Sequence, residues 1–114
     1  MSREQLFTTI KNKILGKDYD LSWAFITPQK IGELNRIYRN IDKPTDILSF
    51  PLSKTEGEIY ICLSEARKEA RNFDRKYENF LAFLFIHGCV HLKGYDHGST
   101  MESIEAKFRK EFGV

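Results

Sequence analysis

The chain has little of what marks the special protein classes. It carries 2 cysteines, Cys62 and Cys89, in 114 residues. Both sit in apolar surroundings, which excludes a disulfide-stapled scaffold and points to a reducing, cytoplasmic compartment. Its 3 prolines and 7 glycines form no tract, repeat or linker, which excludes fibrous and low-complexity classes. No long hydrophobic run exists. The longest covers residues 80–86, and a membrane helix needs about 20 apolar residues. The opening Met-Ser-Arg-Glu-Gln has no apolar stretch behind it, so no secretory leader is expected. Charge of one sign is also missing. The 18 Lys and Arg against 16 Asp and Glu leave +2, too small an excess to mark a nucleic-acid binder by itself, although a local patch can still serve one.

What is present suffices for one core. Hydrophobic residues make up 41% and charged residues 30%, which excludes general disorder. The length fits a single domain over residues 1–114.

Ser2 with Gln5 fits a capping box, and Leu6, Ile10 and Ile14 recur at helical spacing before Gly16. Residues 20–27 alternate Leu21, Trp23 and Phe25 as a strand does. Thr27-Pro28 opens a second helix that runs to about Tyr38, with Ile31, Leu34 and Tyr38 expected on its buried face. Residues 46–52 predict a strand whose proline requires an edge or an end, and residues 58–63 predict another. Ser64 is placed as the cap of a third helix burying Ala66, Ala70, Phe73 and Tyr77. Residues 79–92 are apolar nearly all round and predict a central buried helix. Ser99 with Glu102 reads as a second capping box, opening a last helix with Met101, Ile104, Phe108 and Phe112 inward. The order α-β-α-β-β-α-α-α predicts an α+β fold, a small mixed sheet packed with helices.

All 3 histidines fall within one short segment. His87 and His91 are four apart on the buried helix and project from one face. Gly94 ends the helix, and His97 follows where the returning chain can rejoin that face. Three imidazoles suit a zinc ion at about 2.0–2.1 Å with water in the fourth position, the open arrangement of catalytic sites. The bland alternative is a hydrogen-bonded histidine cluster. The spacing is that of the metzincin proteases, H-E-x-x-H-x-x-G-x-x-H, which makes the fold zincin-like. Gly88 stands where those proteases carry their glutamate base, which argues against peptide hydrolysis.

The segment His87-Gly88-Cys89-Val90-His91-Leu92-Lys93-Gly94-Tyr95-Asp96-His97 resembles the H-G-x-L-H-L-x-G-Y-D-H signature of the YbeY family, bacterial zinc-dependent endoribonucleases of ribosomal RNA maturation. Two upstream blocks agree. Leu34-Asn35, Tyr38-Arg39, Asp42 and residues 44–51 resemble L-N-x-x-Y-R-x-x-D-x-P-T-D-V-L-S-F-P, and residues 57–62 resemble G-D-I-x-I-C. Val90, Ile47 and Glu58 are mild departures. The strand that usually precedes the first helix, and much of the C-terminal tail, have no counterpart here.

The resemblance implies one zinc ion held by His87, His91 and His97 plus water, with His91 and Arg39 as catalytic residues. Arg39 would also bind substrate, because its guanidinium offers a planar fork of donors to a phosphodiester. On spacing alone, a salt bridge from Arg39 to Asp42 or Asp46 is as good a reading. Asp96, Asp46 and Ser49 are candidates to orient the ligands. Cys89 is expected to face the core, and Cys62 to be a small buried residue. Arg67, Arg71 and Arg75 form a stripe that could track RNA, although interleaved acids favour a solvated, ion-paired face. Lys93 and Lys54 are looser candidates.

The implied function is a zinc-dependent endoribonuclease cutting single-stranded RNA in 16S ribosomal RNA 3′-end maturation and ribosome quality control. Its implied partners are ribosomal RNA, the small ribosomal subunit and assembly factors, with no membrane. The alternatives are a non-catalytic, zinc-stabilised ribosome-assembly factor and a metal-dependent hydrolase of another phosphoester.

Overall fold

The Ser2 hydroxyl accepts a hydrogen bond from the Gln5 N–H at 3.1 Å, and Gln5 Oε1 accepts one from the Ser2 N–H at 2.8 Å. This reciprocal box satisfies two donors that a first helical turn leaves without partners. In the computed structural model, which describes residues 1–114, α1 then runs Arg3–Leu15 and buries Phe7, Ile10 and Ile14. The remaining elements come in the expected order. They are β1 (Asp20–Phe25), α2 (Pro28–Arg39), β2 (Ile47–Ser53), β3 (Glu56–Ile61), α3 (Leu63–Asn72), α4 (Tyr77–Leu92) and α5 (Ser99–Phe112). The fold is α+β, as its sequence order predicts. No helix is long and apolar enough to cross a membrane.

The sheet has the order β1-β3-β2, with β1 parallel and β2 antiparallel to β3. Pro51 therefore lies on an edge strand, where its missing N–H breaks no ladder, and the register slips beside it between Pro51 and Ser53. One face of the sheet buries Ile59 and Ile61 in the main core with α1 and α4. There Phe7 stacks on Phe85, ring centroids 4.0 Å apart. The other face carries a smaller cluster of Ile31, Leu48 and Cys62 beneath α2. α4 is buried along nearly its whole length, from Phe80 to Leu92, so it forms the axis of the molecule.

Three local signals are one element out of place. Ser64 does not cap α3. Cys62 holds that position without a side-chain bond to the helix backbone, because the chain enters the helix directly from β3. α3 ends at Asn72, and Asp74 takes φ 52°, a left-handed turn that short polar side chains tolerate. Phe73, expected inward, lies past the end of α3 and is exposed, and Tyr77 begins α4 instead of closing α3. Ser99 lies inside α5, behind Gly98. The Glu102 N–H donates to the Gly98 carbonyl at 3.0 Å, so the Ser99–Glu102 box does not form.

Candidate metal centre

α4 carries His87 and His91 on one face because four residues make just over one turn. Their ring centroids are 4.8 Å apart. The helix stops at Leu92, and Gly94 follows at φ +112°, a conformation that L side chains rarely adopt. That turn sends the chain back along α4 and brings the His97 ring to 4.6 Å from His91 and 5.3 Å from His87. One potential ligand atom from each histidine lies within 4.8 Å of the others. The H-x-x-x-H-x-x-G-x-x-H spacing thus converges as expected.

Two of the rings are held from behind. His91 Nδ1–H donates to the Tyr95 carbonyl at 3.0 Å, which leaves the Nε2 lone pair facing the cluster. His87 Nδ1 is hydrogen-bonded to Glu105 of α5. Glu105 is buried, with Arg109 Nη1 3.9 Å from its other oxygen. Carboxylates and carbonyls in this place set the tautomer and orientation of metal-binding histidines. Burial, and then the neighbouring His87 and His97, hold the His91 pKa below its ordinary value, so the ring stays neutral and able to ligate.

The donor set fits a metal ion. Two nitrogens bound to a tetrahedral zinc at about 2.0–2.1 Å stand about 3.3–3.4 Å apart. His91 Nε2 and His97 Nε2 are 3.3 Å apart.

The triad opens into a cleft of about 670 Å³ lined by Tyr38, Arg39, Asp46, Ser49, Phe50 and Asp96 among others. That volume is in the range of small-ligand sites. Arg39 is the last residue of α2, and Asn40 terminates the helix in the left-handed conformation at φ 57°. The guanidinium is exposed, and none of the molecule's ion pairs involves it. The alternative of a salt bridge to Asp42 or Asp46 is therefore not realised.

Asp46, Ser49 and Asp96 line the cleft, yet none hydrogen-bonds a histidine. Those contacts belong to Glu105 and the Tyr95 carbonyl. The Asp46 carboxyl is pushed above its ordinary value, chiefly by burial and then by the charge of Glu69. Glu105 escaped the sequence reading although a signal existed. It stands four residues after Met101 and three before Phe108, a charge on the apolar face of α5.

Gly88 explains the absent glutamate. A Cβ there would lie 2.9 Å from both Ser49 Oγ and Ile59 Cδ1. Position 88 faces the sheet and has no room for a side chain, least of all a charged one. Cys89 faces the core, as expected, and burial pushes its thiol pKa well up. Cys62 is buried as well, and both cysteines are free.

The arginine stripe does not survive as a helical feature. Arg75 lies beyond α3, its guanidinium over the Phe83 ring and bonded to Asn79. Arg67 lies 4.1 Å from the centre of the Tyr77 ring. Lys93 Nζ donates to the Ile14 carbonyl at 3.0 Å and closes the end of α1, so it is committed to the fold. Lys54 lies exposed in the turn between β2 and β3.

A three-histidine cluster, two from a buried helix and one from the turn that follows it, beside the edge strand of a small mixed sheet, defines a zincin-like α+β protein able to hold a metal ion. The family model described as Endoribonuclease YbeY matches residues 2–112. A protein named Endoribonuclease YbeY from Staphylococcus carnosus (strain TM300) is 39% identical over 107 residues, which are 83% of this chain and 70% of that protein. Its namesake in Staphylococcus aureus (strain JH9) is 36% identical over 115 residues, 89% of this chain and 74% of that one. The solution structure of TM1509 from Thermotoga maritima matches with a TM-score of 0.68 at 32% identity, covering 97% of this chain and 79% of that one. The chain belongs to the Endoribonuclease YbeY family.

Proposed function

We propose that the chain is a zinc-dependent endoribonuclease that cuts single-stranded RNA, with ribosomal RNA as its substrate at the 16S 3′ end and a role in ribosome quality control alongside the small subunit in the cytoplasm. The observation that carries this reading is the single cleft lined by the three histidines and an unpaired arginine. Membership of a family whose relatives are named endoribonucleases supplies the substrate class.

In this reading His87, His91 and His97 hold one zinc ion, which when bound activates water and polarises a phosphoryl oxygen. Glu105 and the Tyr95 carbonyl keep two of the rings aimed at the site. Arg39 donates to the non-bridging phosphate oxygens and stabilises charge that builds up in the transition state. Because it has no partner in the free protein, no ion pair must break when phosphate binds. Asp46 lines the same cleft, and burial raises its carboxyl pKa; the general base is left unassigned.

The test is cleavage of a labelled single-stranded RNA by zinc-loaded protein, beside His91→Ala purified identically. Cleavage by the wild type alone supports the reading. Equal cleavage by both, with zinc bound only to the wild type, overturns it in favour of a zinc-stabilised assembly factor.

A further inference from the structure

Strand β2 presents its residues alternately to its two sides. Ile47 and Ser49 meet α4 at Gly88, so Leu48 and Phe50 turn to the α2 side, where Phe50 packs against the smaller cluster. There the Phe50 ring lies 5.1 Å from the Tyr38 ring and 6.0 Å from the Tyr60 ring, centre to centre. Three aromatics thus form a row from the last turn of α2 across the β2–β3 pair.

Tyr38 does not lie on the buried face of α2 as its spacing suggests: it is 65% exposed, and core packing does not account for it. Its ring meets Phe50 at an interplanar angle of 58°. That tilted contact fixes Tyr38 in place without covering it by a parallel ring. Tyr38 and Phe50 line the same cleft as the histidines, and Arg39 is the next residue in the chain. The far end of the row is different. Burial, followed by the charge of Glu58, raises the Tyr60 hydroxyl pKa. An acid at that end disfavours a phosphodiester, whereas the Tyr38 end adjoins an unpaired guanidinium.

An exposed aromatic face beside a phosphate-binding cation is how proteins hold unpaired bases. Stacking needs only the base's π-face, and a base within a duplex keeps that face against its neighbours. We propose that Tyr38, braced by Phe50, is a stacking platform for one base of the RNA strand next to the phosphate held by Arg39, and that this platform gives the site its preference for single strands. The proposal rests on the endoribonuclease reading and adds a base-binding subsite to it.

The experiment measures binding of a short fluorescein-labelled single-stranded RNA to zinc-loaded wild type, Tyr38→Ala and Tyr38→Phe, together with KM and kcat for cleavage. A parallel series of strands carries one abasic ribose at successive positions. Loss of one stacked base predicts that Tyr38→Ala weakens binding and raises KM by about 5- to 100-fold. Tyr38→Phe stays close to wild type, because the ring and not the hydroxyl is used. One abasic position weakens wild-type binding by a similar factor and has no effect on Tyr38→Ala. If the wild type cleaves RNA and Tyr38→Ala binds and cleaves equally well, the platform is wrong and the rings serve another contact, such as a protein partner. If Tyr38→Phe loses as much as Tyr38→Ala, stacking is wrong as well. If the wild type neither binds nor cleaves single-stranded RNA, the endoribonuclease reading itself falls, and the platform with it.

Discussion

Gly88 and Ser49 stand so close that a single carbon added to Gly88 would lie 2.9 Å from the Ser49 hydroxyl oxygen. The contact seals α4 onto β2 and sets how near the histidine face of the helix comes to the edge strand. Overpacking of this kind costs about 1–3 kcal/mol, and replacing a helical glycine by alanine returns about 1 kcal/mol. Gly88→Ala is therefore expected to fold with a Tm lowered by a few degrees. Gly88→Glu would bury an unpaired carboxylate in the sheet, a cost of several kcal/mol against a total stability of about 5–15. It is expected to unfold and to gain no peptidase activity. Thermal melts of the two variants check both points, and a stable Gly88→Glu would contradict the packing.

Glu105 is hydrogen-bonded to His87, one of the three histidines proposed to hold the metal. Removing a carboxylate that orients a ligand histidine costs about 10- to 100-fold in metal affinity. Glu105→Ala should lose zinc to a chelating dye at correspondingly lower dye concentration. Glu105→Gln, which keeps an acceptor, should lose less. Equal affinities in all three proteins would show that the His87 ring is held by α4 packing alone.

Arg39 should behave as a functional residue without a structural role. It is exposed and in no ion pair, so Arg39→Ala should change stability by less than about 0.5 kcal/mol and leave zinc binding intact. Loss of a charge-assisted hydrogen bond, about 1.5–3 kcal/mol, predicts a drop in kcat/KM of about 10- to 100-fold. Arg39→Lys should restore only part of it, since the planar fork is gone.

Asp46 is expected to make the stability of the metal-free protein depend on pH. Its folded-state pKa is raised, first of all by burial. Below the ordinary carboxyl range both folded and unfolded forms are protonated, and the group contributes nothing. As pH rises through that range, the unfolded chain releases its proton more readily, so stability is lost and stays lost above the folded pKa. Asp46→Asn removes this effect. The variant should melt higher than wild type near pH 7 and together with it near about pH 3. A gap of the opposite sign at neutral pH would mean that a cationic neighbour stabilises the carboxylate.

Much of the site was legible because its signals are local. His87 and His91 share a face by helical geometry alone, and Gly94 at φ +112° is the turn that a glycine before His97 implies. Ser2 and Gln5 cap each other as read. Equally local signals failed at Ser64 and Ser99, because the path of the chain leaving β3 and the Gly98 turn decides which residue precedes the helix.

The sequence by itself determined the elements, their order and the three nitrogen donors, since these follow from periodicity and from residue chemistry within a few turns of one another. The tertiary structure alone decided what surrounds them. Glu105 reaches His87 from 18 residues away, Ser49 and Ile59 close off position 88, and Tyr38 meets Phe50 across the gap between a helix and a strand. Each of these depends on how α2, α4, α5 and the sheet pack together, and short-range spacing carries no record of contacts between distant segments.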